Sequence, residues 1–452
     1  MAEQQRELKN ITVGAYATMK GGGYMLIQAT IASYFSIFMT DTVGIAAGAA
    51  SIISLIASLT AAFCDPVIGG ICDRVNSRWG RFRPYFLFVP IPYVLLSFLL
   101  FLNPSGLSAT GTVLYMGVVY VIYGVVNTLI TMPSDAIVTT LTKNDQERSN
   151  LIQLGTIMVA VSFTIASSFT TNFVSALGSY SSLILIYGAL MLISCFLFFA
   201  TSQEKYVQVS KEKRSIGDDL KVIRRHIGPL GNVMLVWLLA SLGYGLMFSS
   251  SVYYITYYQM RPDLITPYML ALSIGALVSM MFLMPILLRL FKFAYKVLMI
   301  TQAISFVCYF ILFVYGKNMP LLFVLSFIAA AVSSMQQGLV GFLLNDTIDY
   351  IQLKEHIGMN GMLSSIKGFA YKCGNTVVTA GMMGILAVTG YVAGAVGGQP
   401  DSAMIALNLI RFGIPAVICI LIVILLIFYP FKKYYWEFAK MKEEMKATER
   451  KK

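Results

Sequence analysis

Apolar segments of roughly 20 residues, each long enough as a helix to cross a bilayer, recur along this whole chain. That recurrence constrains the fold more than any other feature. Backbone polar groups in lipid must be satisfied within the chain, so such segments fold as a bundle of spanning helices. Hydrophobic residues make up 57% of the sequence and charged residues 12%, against roughly 25% charged in soluble domains. The balance excludes a large soluble protein with buried helices.

About twelve spans are expected, at roughly 12–39, 44–72, 84–103, 110–134, 150–176, 181–202, 229–259, 266–289, 294–316, 319–345, 360–390 and 405–430. The longest must tilt or extend beyond the hydrocarbon core. The longest polar stretch, Ser202 to Gly228, falls between the sixth and seventh and carries Lys205, Lys211, Lys213, Arg214, Lys221, Arg224 and Arg225. The expected organisation is therefore a six-helix bundle over 1–202, a basic linker over 203–228, a second six-helix bundle over 229–430 and a charged tail over 431–452.

A net charge of +12 would suit a nucleic-acid partner, but the charge sits in short loops and the tail. With both termini cytoplasmic, about 27 basic residues fall inside and about two, Arg261 and Lys317, outside. The expectation is an integral protein of a bacterial-type inner (plasma) membrane, with no nucleic-acid partner. Lys20, Lys367, Lys372 and Arg411 fall within spans. The six cysteines show no Cys-x-x-Cys spacing, so neither disulfides nor a metal site are expected. His226 and His356 lie in loops and receive no role. There is no phosphate-cradling loop, nucleophile triad or metal cluster, so no enzyme, catalytic residue or cofactor is expected.

The stretch from Cys64 to Pro84 carries the chemistry. Asp65 places a carboxylate inside an apolar run, where an ionisable group is costly and marks a functional site. The following loop holds Asp73, Arg74, Arg78, Arg81 and Arg83. These read as a cytoplasmic gate, with Asp346 and Asp349 at the inner end of span ten as partners in the other half. The alternative for the loop is orientation alone.

Several strings resemble the glycoside–pentoside–hexuronide:cation symporter family of the major facilitator superfamily. They are Asp65-Pro66-x-x-Gly69…Asp73-Arg74…Ser77-Arg78-Trp79-Gly80-Arg81-Phe82-Arg83-Pro84, Thr40-Asp41-Thr-Val-Gly44, Asp346-Thr-Ile-Asp349-Tyr350 and Lys372-Cys-Gly374. The resemblance implies an all-α membrane protein of twelve transmembrane helices in two pseudo-symmetric six-helix bundles, which rock around a midplane site. It implies a secondary active transporter, a symporter of a glycoside or hexuronide-type sugar with H+ or Na+.

The family's cation site commonly has two carboxylates one turn apart on span two. This chain resembles it at the second, Asp65, but has Ala61 at the first and Cys64 where a polar residue stands. Thr128 and Lys372 match that site's threonine and lysine. The sugar site departs further. Where galactoside-binding members have two acids and an arginine, this chain has Met25, Thr131 and Thr156. Gln337 and Asp135 stand where aromatic residues do. Galactoside recognition of that type is not expected.

Asp65 reads as the coupling carboxylate, the alternative being a structural ion pair with Lys372 or a loop arginine. A single carboxylate beside a lysine suits a proton better than sodium, because burial and a cationic neighbour pull its affinity in opposite directions. Proton coupling is favoured over sodium coupling, and an uncoupled facilitator is the remaining case. Lys372 is expected to touch Asp65 or substrate, unless its role is structural. Lys367, five residues earlier, lies about 140° around the helix. It either snorkels or, with Lys372, favours an acidic sugar. Asn127, Thr131, Asp135, Gln337 and Tyr371 complete the expected substrate contacts, with Tyr371 placed to stack on a sugar ring. Polar groups in spans also serve as helix–helix contacts. Asp135 has a second reading, as partner to Arg148 or another loop cation. A lysophospholipid or other non-sugar solute is the alternative cargo, and a monomer is the expected state.

Overall fold

The structure is a computed structural model that describes residues 8–74, 77–206, 224–291, 293–355 and 360–429. Among them nine helices are long and apolar enough to cross a membrane. Three further spans are helical outside those nine. Span 1 is two helices, Asn10–Gly21 and Gly23–Ile37, broken at Gly22, whose ψ of −131° is not helical. Span 3 is Arg83–Phe88 and Pro90–Leu100, with a proline at the junction. Span 11 is Asn360–Val388, with Cys373–Val388 its apolar stretch among the described residues. Together these make the twelve expected spans, and the described residues hold no named strand.

The remaining spans are span 2 (Ala47–Arg74), span 4 (Ala109–Ala136), span 5 (Asp145–Leu177), span 6 (Tyr180–Thr201), span 7 (Ile227–Tyr253), span 8 (Ile265–Val278 and Met284–Phe291), span 9 (Ala294–Tyr315), span 10 (Met319–Glu355) and span 12 (Asp401–Asn408 and Ile414–Ile427). Span 10 runs ten residues past its expected end, because Asp346-Thr-Ile-Asp-Tyr lowers hydropathy without any helix-stopping residue. Span 5 begins at Asp145 because Asn144 caps it, its side chain accepting from the amides of Gln146 and Glu147. The polar residues 145–149 are a helical extension that hydropathy does not register. Residues 207–223 of the linker and the tail 431–452 lie outside the described residues.

Compactness divides the chain into two units: Met1–Ser210 with Gly245–Ile274 and Thr376–Arg411, and Lys211–Tyr244 with Gly275–Asn375 and Phe412–Lys452. This division differs from the one the linker suggests by connectivity. The end of span 7, the start of span 8, the end of span 11 and the start of span 12 pack with the first six spans.

The first unit is held by close helix crossings. A Cβ on Gly23 would lie 2.2 Å from Met191 N and Tyr187 O of span 6, and one on Gly21 would lie 2.4 Å from the Met158 main chain of span 5. The triple glycine thus lets span 1 lie against two neighbours, as small residues do at membrane helix interfaces. Large apolar side chains such as Leu114, Ile193 and Phe63 face outward, as a lipid-facing surface requires. In the second unit, a Cβ on Gly374 of span 11 would lie 2.8 Å from the Ser241 side chain of span 7. The Asn232 amide donates to Leu425 O of span 12 at 3.0 Å.

Candidate functional site

Spans 1, 2 and 4 carry a polar track through the first unit. On span 1, Lys20 lies before the break at Gly22, and Tyr24 and Gln28, four residues apart, share one face after it. Span 4 presents Asn127, Thr128, Thr131 and Asp135. The rungs match in antiparallel order. Tyr24 Oη donates to Asn127 Oδ1 at 3.2 Å, and the Gln28 amide donates to the same oxygen and to Tyr24 Oη. Lys20 Nζ is ion-paired with Asp135. Tyr93 and Tyr123, joined through their hydroxyls at 2.9 Å, back this track, with the Tyr93 ring against that of Tyr24.

Asp65 sits on span 2, and Thr128 Oγ1 donates to its Oδ1 at 2.9 Å. Ala61, where the resemblance expects a first carboxylate, is half-buried on span 2. A Cβ built on Gly124 would lie 3.3 Å from Ala61 Cβ, so spans 2 and 4 approach closely beside the Thr128–Asp65 bond. Among the described residues a carboxylate and a hydroxyl meet at this point.

The other expected residues fall as follows. Thr131 Oγ1 donates to Asn127 O and Thr128 O of its own helix at 3.0 and 3.3 Å. Thr156 likewise donates to Ile152 O at 2.8 Å. Asp135 is joined to Lys20 of span 1 rather than to Arg148, whose guanidinium donates to Thr142 O at 3.4 Å. Gln337 donates to Ala240 O of span 7 at 3.4 Å, beside Gln336 at 2.9 Å. Asp346 is half-buried on span 10. The side chains of Lys367, Tyr371, Lys372, Asp73, Arg74 and Asp349 lie outside the described residues.

The arginine loop is bound into the first unit. Arg81 Nε donates to Cys72 O at 3.2 Å. The Arg83 guanidinium donates to Trp79 O and to Phe199 O, and lies over the Phe199 ring. Arg78 lies over Trp79. The residue that fixes this loop is Glu204, just after span 6. Its carboxylate accepts the backbone amides of Arg81, Phe82 and Arg83 at 3.0, 2.7 and 2.8 Å. Sequence reasoning missed Glu204, which reads there as one more linker charge. It also passed over Tyr24 and Gln28, although their four-residue spacing within an apolar span marks them.

An ionisable polar track inside an all-helical membrane bundle defines a membrane transporter. The chain matches the model of the MFS/sugar transport protein family over residues 19–433 and belongs to that family. It is 31% identical over 427 residues to the uncharacterized symporter YnaJ of Bacillus subtilis (strain 168), covering 90% of each chain. It is 27% identical over 415 residues to the isoprimeverose transporter of Lactiplantibacillus pentosus, covering 89% of this chain and 85% of that one. The fold is similar to that of the nucleoside transporter NupG, with a TM-score of 0.64 at 14% identity over 92% of this chain and 99% of that one. The protein is therefore an integral membrane transporter of the major facilitator superfamily with a small-molecule sugar as its class of substrate, and not an enzyme.

Proposed function

We propose that this protein is a proton-coupled symporter of a glycoside, working by alternating access with both termini cytoplasmic. The observation that carries the coupling assignment is the Thr128–Asp65 hydrogen bond beside the Ala61–Gly124 contact. Sodium must be stripped of water and needs several fixed oxygen ligands in return. With Ala61 in place of a second carboxylate the sequence supplies fewer of them, and a lone carboxylate within a span suits a proton better. Lys372 of span 11 is the proposed cationic counterpart.

The substrate track is proposed to be Tyr24, Gln28, Asn127 and the Lys20–Asp135 pair, with Thr131, Gln337, Lys367 and Tyr371 as further contacts. Amides and hydroxyls together offer both donors and acceptors, which suits a polyhydroxylated ligand. The isoprimeverose transporter among the relatives supports a pentose-containing glycoside as a first probe. Asp73, Arg74, Arg78, Arg81 and Arg83 are proposed to close the cytoplasmic end with Asp346 and Asp349.

Uptake into proteoliposomes tests this. A neutral disaccharide, a pentoside, a glucuronide and a lysophospholipid would each be offered under an imposed pH gradient, a sodium gradient or neither. Glycoside uptake that follows the pH gradient supports the reading. Stimulation by sodium at constant pH, with indifference to a protonophore, contradicts it.

A further inference from the structure

One end of the first compact unit is closed by a seam between the sequence halves. Span 1 meets span 7 through the Thr40 and Tyr253 hydroxyls at 3.0 Å. Span 2 meets span 11 where Ser51 Oγ donates to Ala380 O at 2.7 Å. Span 5 meets span 8 through Ser167–Ser273 at 3.1 Å and Thr171–Thr266 at 3.2 Å. The hub of this seam is a carboxylate. Asp41 accepts from Tyr257 Oη at one oxygen, and from Tyr391 Oη at 2.8 Å and Thr40 Oγ1 at 2.7 Å at the other. Tyr257 Oη in turn accepts the Gly394 amide at 3.0 Å. One side chain thus binds the ends of spans 1 and 7 and the segment after span 11.

Two further observations mark this cluster. Asp41 lies in a five-residue π-helical turn, Phe38–Thr42, and Tyr257 lies in another, Tyr254–Tyr258. The two turns end spans 1 and 7, which open the two sequence halves. Such turns recur at functional sites because they aim a side chain off the regular helical face. The tyrosine rings also pack edge to face, Tyr257 on Tyr391 with centroids 5.3 Å apart and Tyr253 on Tyr391 at 5.7 Å. Tyr253 and Tyr257 are each 1% exposed. Buried hydroxyls need partners, so the seam cannot part without water replacing each bond.

We infer that Asp41, held by Tyr257 and Tyr391, is the latch that keeps this end of the transport path shut. By the charge distribution this is the external end. The latch rests on the transporter reading given above, but not on the identity of the substrate or the coupling ion. Hydrogen bonds to an ionised acceptor are the strong ones, and the latch concentrates three on one carboxylate. Opening to the outside requires breaking the two tyrosine bonds.

The test is thiol labelling. Thr131→Cys would be placed as reporter in a background lacking the six native cysteines. It would be reacted with a membrane-impermeant maleimide in right-side-out and inside-out vesicles. Tyr257→Phe and Tyr391→Phe each remove one hydroxyl and keep the ring. Each is expected to raise external labelling about tenfold and the pair about a hundredfold, as loss of a charge-assisted bond shifts a two-state equilibrium. Internal labelling is expected to fall. Monodispersity and melting temperature verify folding, and Asp41→Asn serves as an independent variant. Unchanged external labelling in the folded double variant, or faster internal labelling, overturns the latch. A changed labelling pattern, with no glycoside taken up by the parent protein, would uphold the latch and overturn the proposed cargo instead.

Discussion

Thr128 donates a hydrogen bond to Asp65 at 2.9 Å, so spans 2 and 4 are joined at a carboxylate within an apolar span. Removing the hydroxyl takes away the hydrogen bond that holds the carboxylate in place. Thr128→Val, close in volume, is therefore expected to cut gradient-driven uptake severalfold, with the protein still folded. Unchanged uptake would separate Thr128 from coupling.

Lys20 and Asp135 should matter to transport more than to stability. The Asp135 side chain is 72% exposed and that of Lys20 28%. Screening keeps an ion pair of this exposure within about 1 kcal/mol of stability. Lys20→Gln and Asp135→Asn are each expected to cut uptake at least about tenfold if the pair lies on the substrate track, equivalent to about 1.4 kcal/mol in the barrier. Melting temperatures should barely change. Equal losses of uptake and thermal stability would make the pair a structural strut.

Gly23→Ala is expected to prevent folding. The added methyl would lie 2.2 Å from main-chain atoms of span 6, and backbone cannot yield as a flexible side chain can. Overpacking costs of about 3 kcal/mol or more follow. Gly14→Ala is the control, since nothing lies within 4 Å of the place its methyl would take. Size-exclusion profiles of the two variants should differ sharply.

Glu204→Ala leaves three backbone amides of the arginine loop without their shared carboxylate. A loss of about 2–4 kcal/mol local to the loop is expected, in line with charge-assisted bonds to a partly buried acceptor. Trypsin should then cut at Arg78 or Arg81 faster than in the parent protein. Cleavage at the original rate would show that the arginine contacts alone hold the loop.

Much of the fold was legible because lipid imposes a single strong signal, the apolar run of spanning length. Where hydropathy and helix part company, legibility failed. Span 10 continues through Asp346 and Asp349, where hydropathy falls without ending the helix, and span 1 is broken at Gly22, where hydropathy registers nothing. The Asp65–Thr128 pairing was foreshadowed by the family resemblance. Asp135 was visible at the end of span 4 and Lys20 within span 1, but their pairing was not. Lys20 lies 115 residues away, and only the antiparallel alignment of spans 1 and 4 brings the two together. The Asp41 cluster was hidden for the same reason. Its tyrosines come from positions 257 and 391, among 26 tyrosines in the chain, with nothing local to distinguish them.

The most direct measurement is proton movement itself. Proteoliposomes with a trapped pH indicator would receive the glycoside found in the uptake screen, with no imposed gradient and no sodium. The account predicts that substrate entry acidifies the lumen in the wild-type protein, and that Asp65→Asn abolishes the acidification. Substrate entry without any change in lumenal pH, or equal acidification in Asp65→Asn, would contradict it.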